Sequence, residues 1–216
     1  RSLEVEKSIE ELRVLFKKNK PIIIVGGVAG SGKTTIGNLL LHELDLDHKI
    51  ATGWIREILA STTSKEKNPE LFGHSFRPLN EKITPFQHFS NLSQIILPAI
   101  EACINRARRE GQSLLIEGPM MVPGILKPEM YDVFVYMKKP DSPEDYIKAL
   151  TTGTHTKRKV TMDDIPPNDE IEKEILKICK EFNILVVPFI EKEERRNVII
   201  REMALKFSGK NETKSL

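Results

Sequence analysis

The sequence predicts an α/β protein: a three-layer α/β/α sandwich around a parallel five-stranded sheet. Two observations predict this fold. Short, continuous apolar runs alternate with longer helical patterns along the chain, and strands that are buried on both faces of a parallel sheet read as such runs. Parallel neighbours need crossover connections, which place helices on both sides of the sheet. With 216 residues, we expect one domain over residues 1–216.

Five strands and several helices are predicted in order along the chain. A charged helix over residues 1–20 precedes the first strand, and the longest helical pattern covers residues 85–110, where apolar side chains recur at spacings of three and four. Gly111 is expected to end that helix in a left-handed conformation. The predicted strands are residues 22–25, 114–116, 133–137 and 184–187, with a weaker fifth at 49–52. One further helix is predicted to begin near Ser142-Pro143, and two more are predicted over residues 168–182 and 193–207.

Two stretches, residues 62–84 and 151–167, interrupt the alternation. Long loops are uncommon in compact domains unless they bind ligands or close over them. We therefore predict that residues 62–84 form a long loop on the substrate side, which we call the excursion, and that residues 151–167 form a lid. Residues 208–216 lack an apolar period and are predicted to form a frayed tail.

Charge and composition exclude several classes of partner. The 33 Lys and Arg residues nearly balance the 31 Asp and Glu residues, so no overall field draws the protein to nucleic acid or to an anionic membrane. No run approaches the roughly 20 apolar residues of a membrane span. Cys103 and Cys179 lie far apart without metal-site spacing, which favours free thiols in a reducing compartment. We expect a cytoplasmic protein.

The strongest motif is a glycine-rich run between the first strand and the following helix. Residues 27–34 fit the pattern GxxxxGK[ST] in the required strand-to-helix context. Such a loop directs backbone N–H groups and the positive end of a helix at one anion. A lysine here can contact β- and γ-phosphates, and a threonine hydroxyl can bind Mg²⁺. The sequence thus predicts a P-loop fold of the NTP hydrolase or kinase type that binds ATP and Mg²⁺ through Gly27, Val28, Ala29, Gly30, Ser31, Gly32, Lys33, Thr34 and Thr35.

Two further residues near the predicted strand ends are candidates for chemistry. Glu117 follows the apolar run Leu-Leu-Ile, where a second Mg²⁺ ligand or a catalytic carboxylate is expected; the alternative is a polar residue that merely ends the strand. Arg56 follows the weak strand, and its planar guanidinium suits a substrate carboxylate or phosphate. The alternative for Arg56 is a surface ion pair with a neighbouring glutamate.

The predicted lid carries a basic cluster. A lid over transferring phosphates needs cations that arrive on closure. We expect Arg158 to be the main cation in the transition state, and His155 and Lys157 to contact the substrate, although such a run can also be a solvated basic surface. Three basic side chains of the earlier excursion could also meet the substrate: His74, Arg77 and Lys82.

Several segments together resemble the archaeal 2-phosphoglycerate kinase family over about residues 21–187. They are GGVAGSGKTTIGNLL, TGWIRE, INRARREGQSLLIEGPMMVPG, DVFVYM and HTKRK. The resemblance implies a nucleoside-kinase type of P-loop fold that transfers phosphate from ATP, with Mg²⁺, to 2-phosphoglycerate, giving 2,3-bisphosphoglycerate. It also implies phosphate and magnesium contacts for Lys33 and Thr34, substrate-side roles for Arg56 and Glu117, and a lid cation at Arg158.

The sequence departs from that family's pattern at two places. Gly53 stands where members commonly have Asp, and Met120 stands where they commonly have His. An Asp at the first place would be a natural general base for an accepting hydroxyl. Without it, Glu117 substitutes, or the acceptor differs, or catalysis is weak. Our leading hypothesis is a kinase for a small anionic metabolite; the rivals are an ATP-binding sensor without transfer activity and a kinase with another acceptor, such as a nucleotide.

Overall fold

The computed structural model describes residues 2–152 and 159–212, with side chains described as far as residue 208. The strands are β1 (Ile22–Gly26), β2 (His48–Ala51), β3 (Leu114–Gly118), β4 (Val133–Met137) and β5 (Leu185–Val187). The helices are α1 (Leu3–Asn19), α2 (Lys33–Glu43), α3 (Thr52–Ser61), α4 (Pro85–Arg109), α5 (Pro143–Thr151), α6 (Ile165–Glu181) and α7 (Lys192–Glu212).

The five strands form one parallel sheet in the order β2-β3-β1-β4-β5. Side chains of β1 alternate between two apolar cores: Ile22 and Ile24 belong to one, and Ile23 and Val25 to the other. The second core also contains the buried side chains of α1, α2 and α7, and the first contains those of α4 and α6. This two-sided burial explains the continuous apolar runs, and it confirms the predicted three-layer sandwich.

Helix α4 shows why its ends are readable from sequence. At its start, the Thr84 hydroxyl accepts a hydrogen bond from the Gln87 backbone N–H, and the Gln87 side chain accepts one from the Thr84 N–H. This capping box satisfies two amides that lack helical partners. At its end, Gly111 has a φ of 63°, as predicted for a residue that stops a helix.

Three boundaries differ from the sequence prediction. Helix α3 starts at Thr52, the last residue of the predicted strand, and was not predicted as a helix. Helix α6 starts at Ile165, inside the predicted lid, because the two prolines that follow suit a first helical turn. Helix α7 continues to Glu212, into the predicted tail. Phe207 anchors α7 by packing edge-on against Phe16 with ring centroids 5.0 Å apart, and extending an anchored helix costs little.

Within residues 2–152 and 159–212, no helix combines the length and apolar character that crossing a bilayer requires.

Candidate functional site

The sheet brings the glycine-rich loop and Glu117 together at the carboxyl ends of its strands. Strands β1 and β3 are direct parallel neighbours, with Val25 beside Glu117 and Gly26 beside Gly118. The loop after β1 and the residues that end β3 therefore emerge side by side at the carboxyl edge, where ligands bind to open α/β sheets.

The loop between β1 and α2 is tightly curled and depends on glycine. Gly27 has a φ of 150°, and a Cβ there would lie 2.5 Å from both the Met137 carbonyl oxygen and Ser31 Oγ. Gly32 has a φ of 84°, and a Cβ there would lie 2.7 Å from Arg195 Nη1. A side chain at Gly27 would collide with backbone, so it would deform the loop. At Gly32 the end of the Arg195 side chain could shift, and it is the positive φ that disfavours residues other than glycine.

Lys33 lies at the centre of this loop and is 6% exposed. Its ammonium donates hydrogen bonds to the Val28 carbonyl oxygen at 2.5 Å and to Ser31 Oγ at 3.2 Å. Ser31 Oγ also donates to the Val28 oxygen, at 2.9 Å. The loop thus holds a positive charge among its own oxygens, and a phosphate that enters would exchange with those acceptors.

Glu117 and Thr34 form the carboxylate and hydroxyl side of the site. Glu117 is 3% exposed, and its Oε1 accepts hydrogen bonds from Thr34 Oγ1 at 3.1 Å and from Lys49 Nζ at 3.4 Å. The reading of Glu117 as merely a polar residue that ends a strand does not account for this pairing. Sequence reasoning missed Lys49, because one lysine on a weak strand resembles any solvated lysine.

The hydroxyl and carboxylate oxygens of this pair are hard donors of the kind that Mg²⁺ prefers. In the part of the chain that the structure describes, no group of three or more His, Cys, Asp or Glu side chains could hold a metal ion. Thr34 and Glu117 therefore fit an ion whose remaining ligands are phosphate oxygens and water, rather than a permanent protein metal site.

A cavity of about 700 Å³ opens beside the loop. Lys33, Thr34, Glu117 and Arg56 all line it, so the structure brings these four members of the predicted site together. Gly53 and Met120 also line it, which places both departures from the resembled family at the same cavity. The predicted roles of these residues stay predictions.

Arg56 enters this cavity from α3 as a partly desolvated cation. Burial lowers the pKa of its guanidinium, and the nearby Glu57 charge offsets part of that effect. The Arg56 Nε is buried without a hydrogen-bond partner among the described residues, and no ion pair within 4 Å is described for this side chain. The alternative of a surface ion pair is therefore not what the structure shows, and an anion in the cavity would satisfy the open donor.

A second cavity, of about 360 Å³, also adjoins the loop, next to α2. Thr35, Asn38, Phe189 and Arg195 are among its lining residues. The Arg195 guanidinium carbon lies 4.5 Å from the centre of the Phe189 ring, and its Nη1 donates to the Ser31 carbonyl oxygen at 2.9 Å. Sequence reasoning missed Arg195 and Phe189, because they lie far from the loop along the chain and no motif marks them.

Helix α5 supports the loop from behind. The buried Tyr146 hydroxyl donates to the Ala29 carbonyl oxygen at 2.7 Å. Lys139 Nζ lies 4.8 Å from the centre of the Tyr146 ring and 2.5 Å from Asp169 Oδ1. The phosphate loop is therefore fixed to both α5 and α6.

The three basic candidates of the excursion have different positions. His74 lines the larger cavity. Arg77 points elsewhere: its Nε and Nη2 donate to the Asp164 carboxylate at 2.7 and 2.8 Å, and Nη2 also donates to the Lys159 carbonyl oxygen at 3.2 Å. Arg77 thus ties the excursion to the start of α6, and it is not among the described residues that line the larger cavity. Among the described residues, Lys82 lines neither cavity.

The lid candidates His155, Lys157 and Arg158 lie outside the described residues. Their substrate and transition-state roles stay predictions.

Met120 departs from ordinary geometry, since it is buried with a φ of 67°. Residues other than glycine seldom adopt such a φ, and those that do are often found at functional sites.

The fold and the loop together define a P-loop protein of the small-molecule kinase class. No family model matches the sequence. The 2-phosphoglycerate kinase of Pyrococcus horikoshii is 31% identical over 202 residues, a match that covers 88% of this chain and 67% of that protein. That of Methanococcus maripaludis is 30% identical over 206 residues, covering 88% of this chain and 62% of that protein. The chain belongs to the 2-phosphoglycerate kinase family, and it spans about two thirds of the length of these relatives.

A solved structure supports the fold independently. Shikimate kinase from Acinetobacter baumannii, solved in complex with shikimate, matches with a TM-score of 0.53 at 13% identity. The match covers 94% of this chain and 99% of that one. At this identity the likeness concerns the fold alone, and it confirms the predicted kinase type of P-loop architecture.

Proposed function

We propose that this chain is a phosphotransferase that uses ATP and Mg²⁺ to phosphorylate a small anionic metabolite, with 2-phosphoglycerate as the best candidate and 2,3-bisphosphoglycerate as its product. The observation that carries the proposal is that Lys33, Thr34, Glu117 and Arg56 line one cavity. Phosphate-binding groups and a separate, unsatisfied cation thus share one space, as transfer between two anionic molecules requires.

The nucleotide half of the site consists of the phosphate loop and the smaller cavity. In the proposed complex, the loop amides and Lys33 hold the β- and γ-phosphates, and Thr34 and Glu117 face the metal side. When bound, Mg²⁺ neutralises charge on the phosphate oxygens. The smaller cavity, with the stacked Arg195 and Phe189 side chains, fits the base or sugar because a flat ring can pack against a guanidinium or an aromatic face.

The acceptor half is centred on Arg56. Its buried Nε lacks a partner among the described residues, and a guanidinium can bind a carboxylate or phosphate through two parallel hydrogen bonds. The relatives named 2-phosphoglycerate kinase suggest the particular acceptor. The lid residues His155, Lys157 and Arg158 would complete the site on closure, with Arg158 as the main transition-state cation.

A specific observation supports each rival. The bare position at Gly53, where an added side-chain carbon would meet nothing within 4 Å, favours a sensor that binds ATP without transfer. The size of the cavity, about 700 Å³, is within the range that binds drug-sized ligands and leaves room for an acceptor larger than a three-carbon acid.

An assay of ATP consumption separates the three functions. The chain is incubated with MgATP and a panel of phosphorylated acids, shikimate-like hydroxy acids, sugars and nucleotides, and ADP release is measured. Turnover with 2-phosphoglycerate above all others supports the proposal, and turnover with another compound assigns a different acceptor. ATP binding without turnover on any acceptor refutes the kinase assignment and favours the sensor. Arg56→Ala should then raise KM for the acceptor at least tenfold, with Arg106→Ala, on an exposed face of α4, as the control.

A further inference from the structure

A hydroxyl that attacks phosphorus must lose its proton, so the cavity needs a base. Among the described residues that line it, the carboxylates are Glu57 and Glu117. Glu117 is engaged by Thr34 and Lys49 through hydrogen bonds to Oε1, which directs this carboxylate to the metal side of the site. Glu57 is exposed, and the interaction described for it is that of its charge with the neighbouring Arg56. One carboxylate of the cavity is therefore held by the phosphate side, and the other is open to an acceptor.

The backbone of α3 gives Glu57 a path toward the loop. Residues four apart in a helix lie on the same face, and helical side chains lean toward the N-terminus. The Glu57 side chain therefore extends over the turn that contains Gly53. An added Cβ at Gly53 would meet nothing within 4 Å, so the space beside Gly53 is open. Both residues line the same cavity.

We propose that Glu57 is the catalytic base of this chain, in the space that Gly53 leaves open. The inference rests on the proposed transfer function. The acceptor hydroxyl oxygen forms a bond to the γ-phosphorus of ATP, and the bond from that phosphorus to the β–γ bridging oxygen breaks, with its electron pair leaving on ADP. The hydroxyl proton passes to the Glu57 carboxylate.

The neighbouring Arg56 adds a requirement for the acceptor. Consecutive side chains on a helix diverge, yet both Arg56 and Glu57 line the cavity. A single acceptor can therefore place an anionic group on Arg56 and a hydroxyl on Glu57. The small anionic metabolite proposed above fits this requirement if it also carries a hydroxyl.

His74 is the other titratable side chain that could accept a proton there. Its ring centre lies 5.2 Å from that of Phe76, and its charge helps to lower the pKa of Asp164, which lies at the start of α6. Because His74 lines the cavity, His74→Asn can change the KM for the acceptor, but the Glu57 assignment predicts that it lowers kcat far less than Glu57→Gln does.

The test is Glu57→Gln, which keeps the size of the side chain and removes the base. We expect kcat to fall about 100-fold or more, while the Kd for MgATP and the KM for the acceptor change less than threefold. Because Glu57 is exposed, the variant should unfold at the same temperature as the original chain. Glu101→Gln, an equivalent change at an exposed position of α4, is the matched control and should change nothing.

Rescue by a second carboxylate separates a base from a structural role. Gly53 has an ordinary φ and open space, and an aspartate is favourable in the first turn of a helix. In the Glu57→Gln background, Gly53→Asp should therefore restore kcat at least tenfold. Gly53→Asp alone is the comparison: a base role for Glu57 predicts a larger gain in the Glu57→Gln background than in the original chain, whereas a merely structural role predicts equal gains.

Each outcome bears on the proposal. If the original chain transfers phosphate and Glu57→Gln keeps kcat within threefold, Glu57 is not the base, although the transfer function stands. A change in KM alone, or a loss of kcat that Gly53→Asp does not relieve, also overturns the assignment. If His74→Asn lost most of its kcat while Glu57→Gln kept the original kcat, the base would be His74. If the original chain transfers phosphate to no acceptor on the panel, the proposed function fails and this inference fails with it.

Discussion

The pairing of Glu117 with Lys49 predicts a measurable loss of stability when the carboxylate charge is removed. Their atoms lie 3.4 Å apart, and the side chains are 4% and 17% exposed. Glu117→Gln keeps an oxygen that can accept both hydrogen bonds but removes the charge. Hydrogen bonds to charged groups contribute about 1.5–3 kcal/mol, against about 0.5–1.5 for neutral ones. The expected loss is therefore about 1–2 kcal/mol, or about 2–8 °C in Tm for a chain of this size.

A double-mutant cycle isolates the pair. Urea unfolding is measured for the original chain, Glu117→Gln, Lys49→Met and the double variant, and the coupling energy should be about 1–2 kcal/mol. The Lys7 and Glu11 pair provides a control, because its atoms are 3.9 Å apart and its side chains are 78% and 59% exposed. Exposed helical pairs of this kind couple by less than about 0.5 kcal/mol.

The same variants test the metal role of Glu117. ATP with Mg²⁺ should raise the Tm of the original chain more than ATP with EDTA does, and Glu117→Gln should reduce that difference. A coupling energy no larger than that of the Lys7 and Glu11 control would refute the assigned pairing. An unchanged response to Mg²⁺ in Glu117→Gln would refute the metal role.

Three further predictions concern the surroundings of the site. Tyr146→Phe removes a buried 2.7 Å hydrogen bond to the phosphate loop, so thermal unfolding should show a loss of about 1–2 kcal/mol and titration should show weaker MgATP binding. The hydrogen bond from Arg77 lowers the pKa of Asp164 below its ordinary 3.8. The pair therefore stabilises the fold above pH 3.8, and this stabilisation is lost as the pH falls through the lowered pKa. In urea unfolding, the difference in free energy of unfolding between the original chain and Arg77→Gln should be constant from about pH 7 to 5 and should shrink below about 3.8. Burial raises the pKa of Cys179 to about 12, so iodoacetamide at about pH 8 should label the half-buried Cys103 first, as mass spectrometry can show.

The sheet and the phosphate loop could be predicted from sequence because their signals are local. Residues 22–25 read as a strand buried on both faces, and the structure places alternate side chains in two separate cores. The glycines and Lys33 carry a spacing that few other structures require. Gly111 marked the end of α4 by capping chemistry that involves only near neighbours.

Contacts between distant parts of the chain could not be predicted in this way. Arg195 donates to the Ser31 carbonyl oxygen, and Arg77 pairs with Asp164. Arg195 lies in a charged stretch and Arg77 in a loop, and nothing in the local sequence of either arginine indicates its partner. Glu57 was missed for a related reason: only the observed start of α3 at Thr52 puts positions 53 and 57 on one face of a helix.

The loop of residues 27–34 as a polyphosphate site is the claim on which every other assignment depends. Calorimetric titration of MgATP into the original chain and into Lys33→Ala tests it most directly, with Lys18→Ala, an exposed lysine of α1, as the control. The account predicts that Lys33→Ala weakens binding at least 100-fold while the control binds as the original chain does. Equal affinity in all three proteins would contradict it.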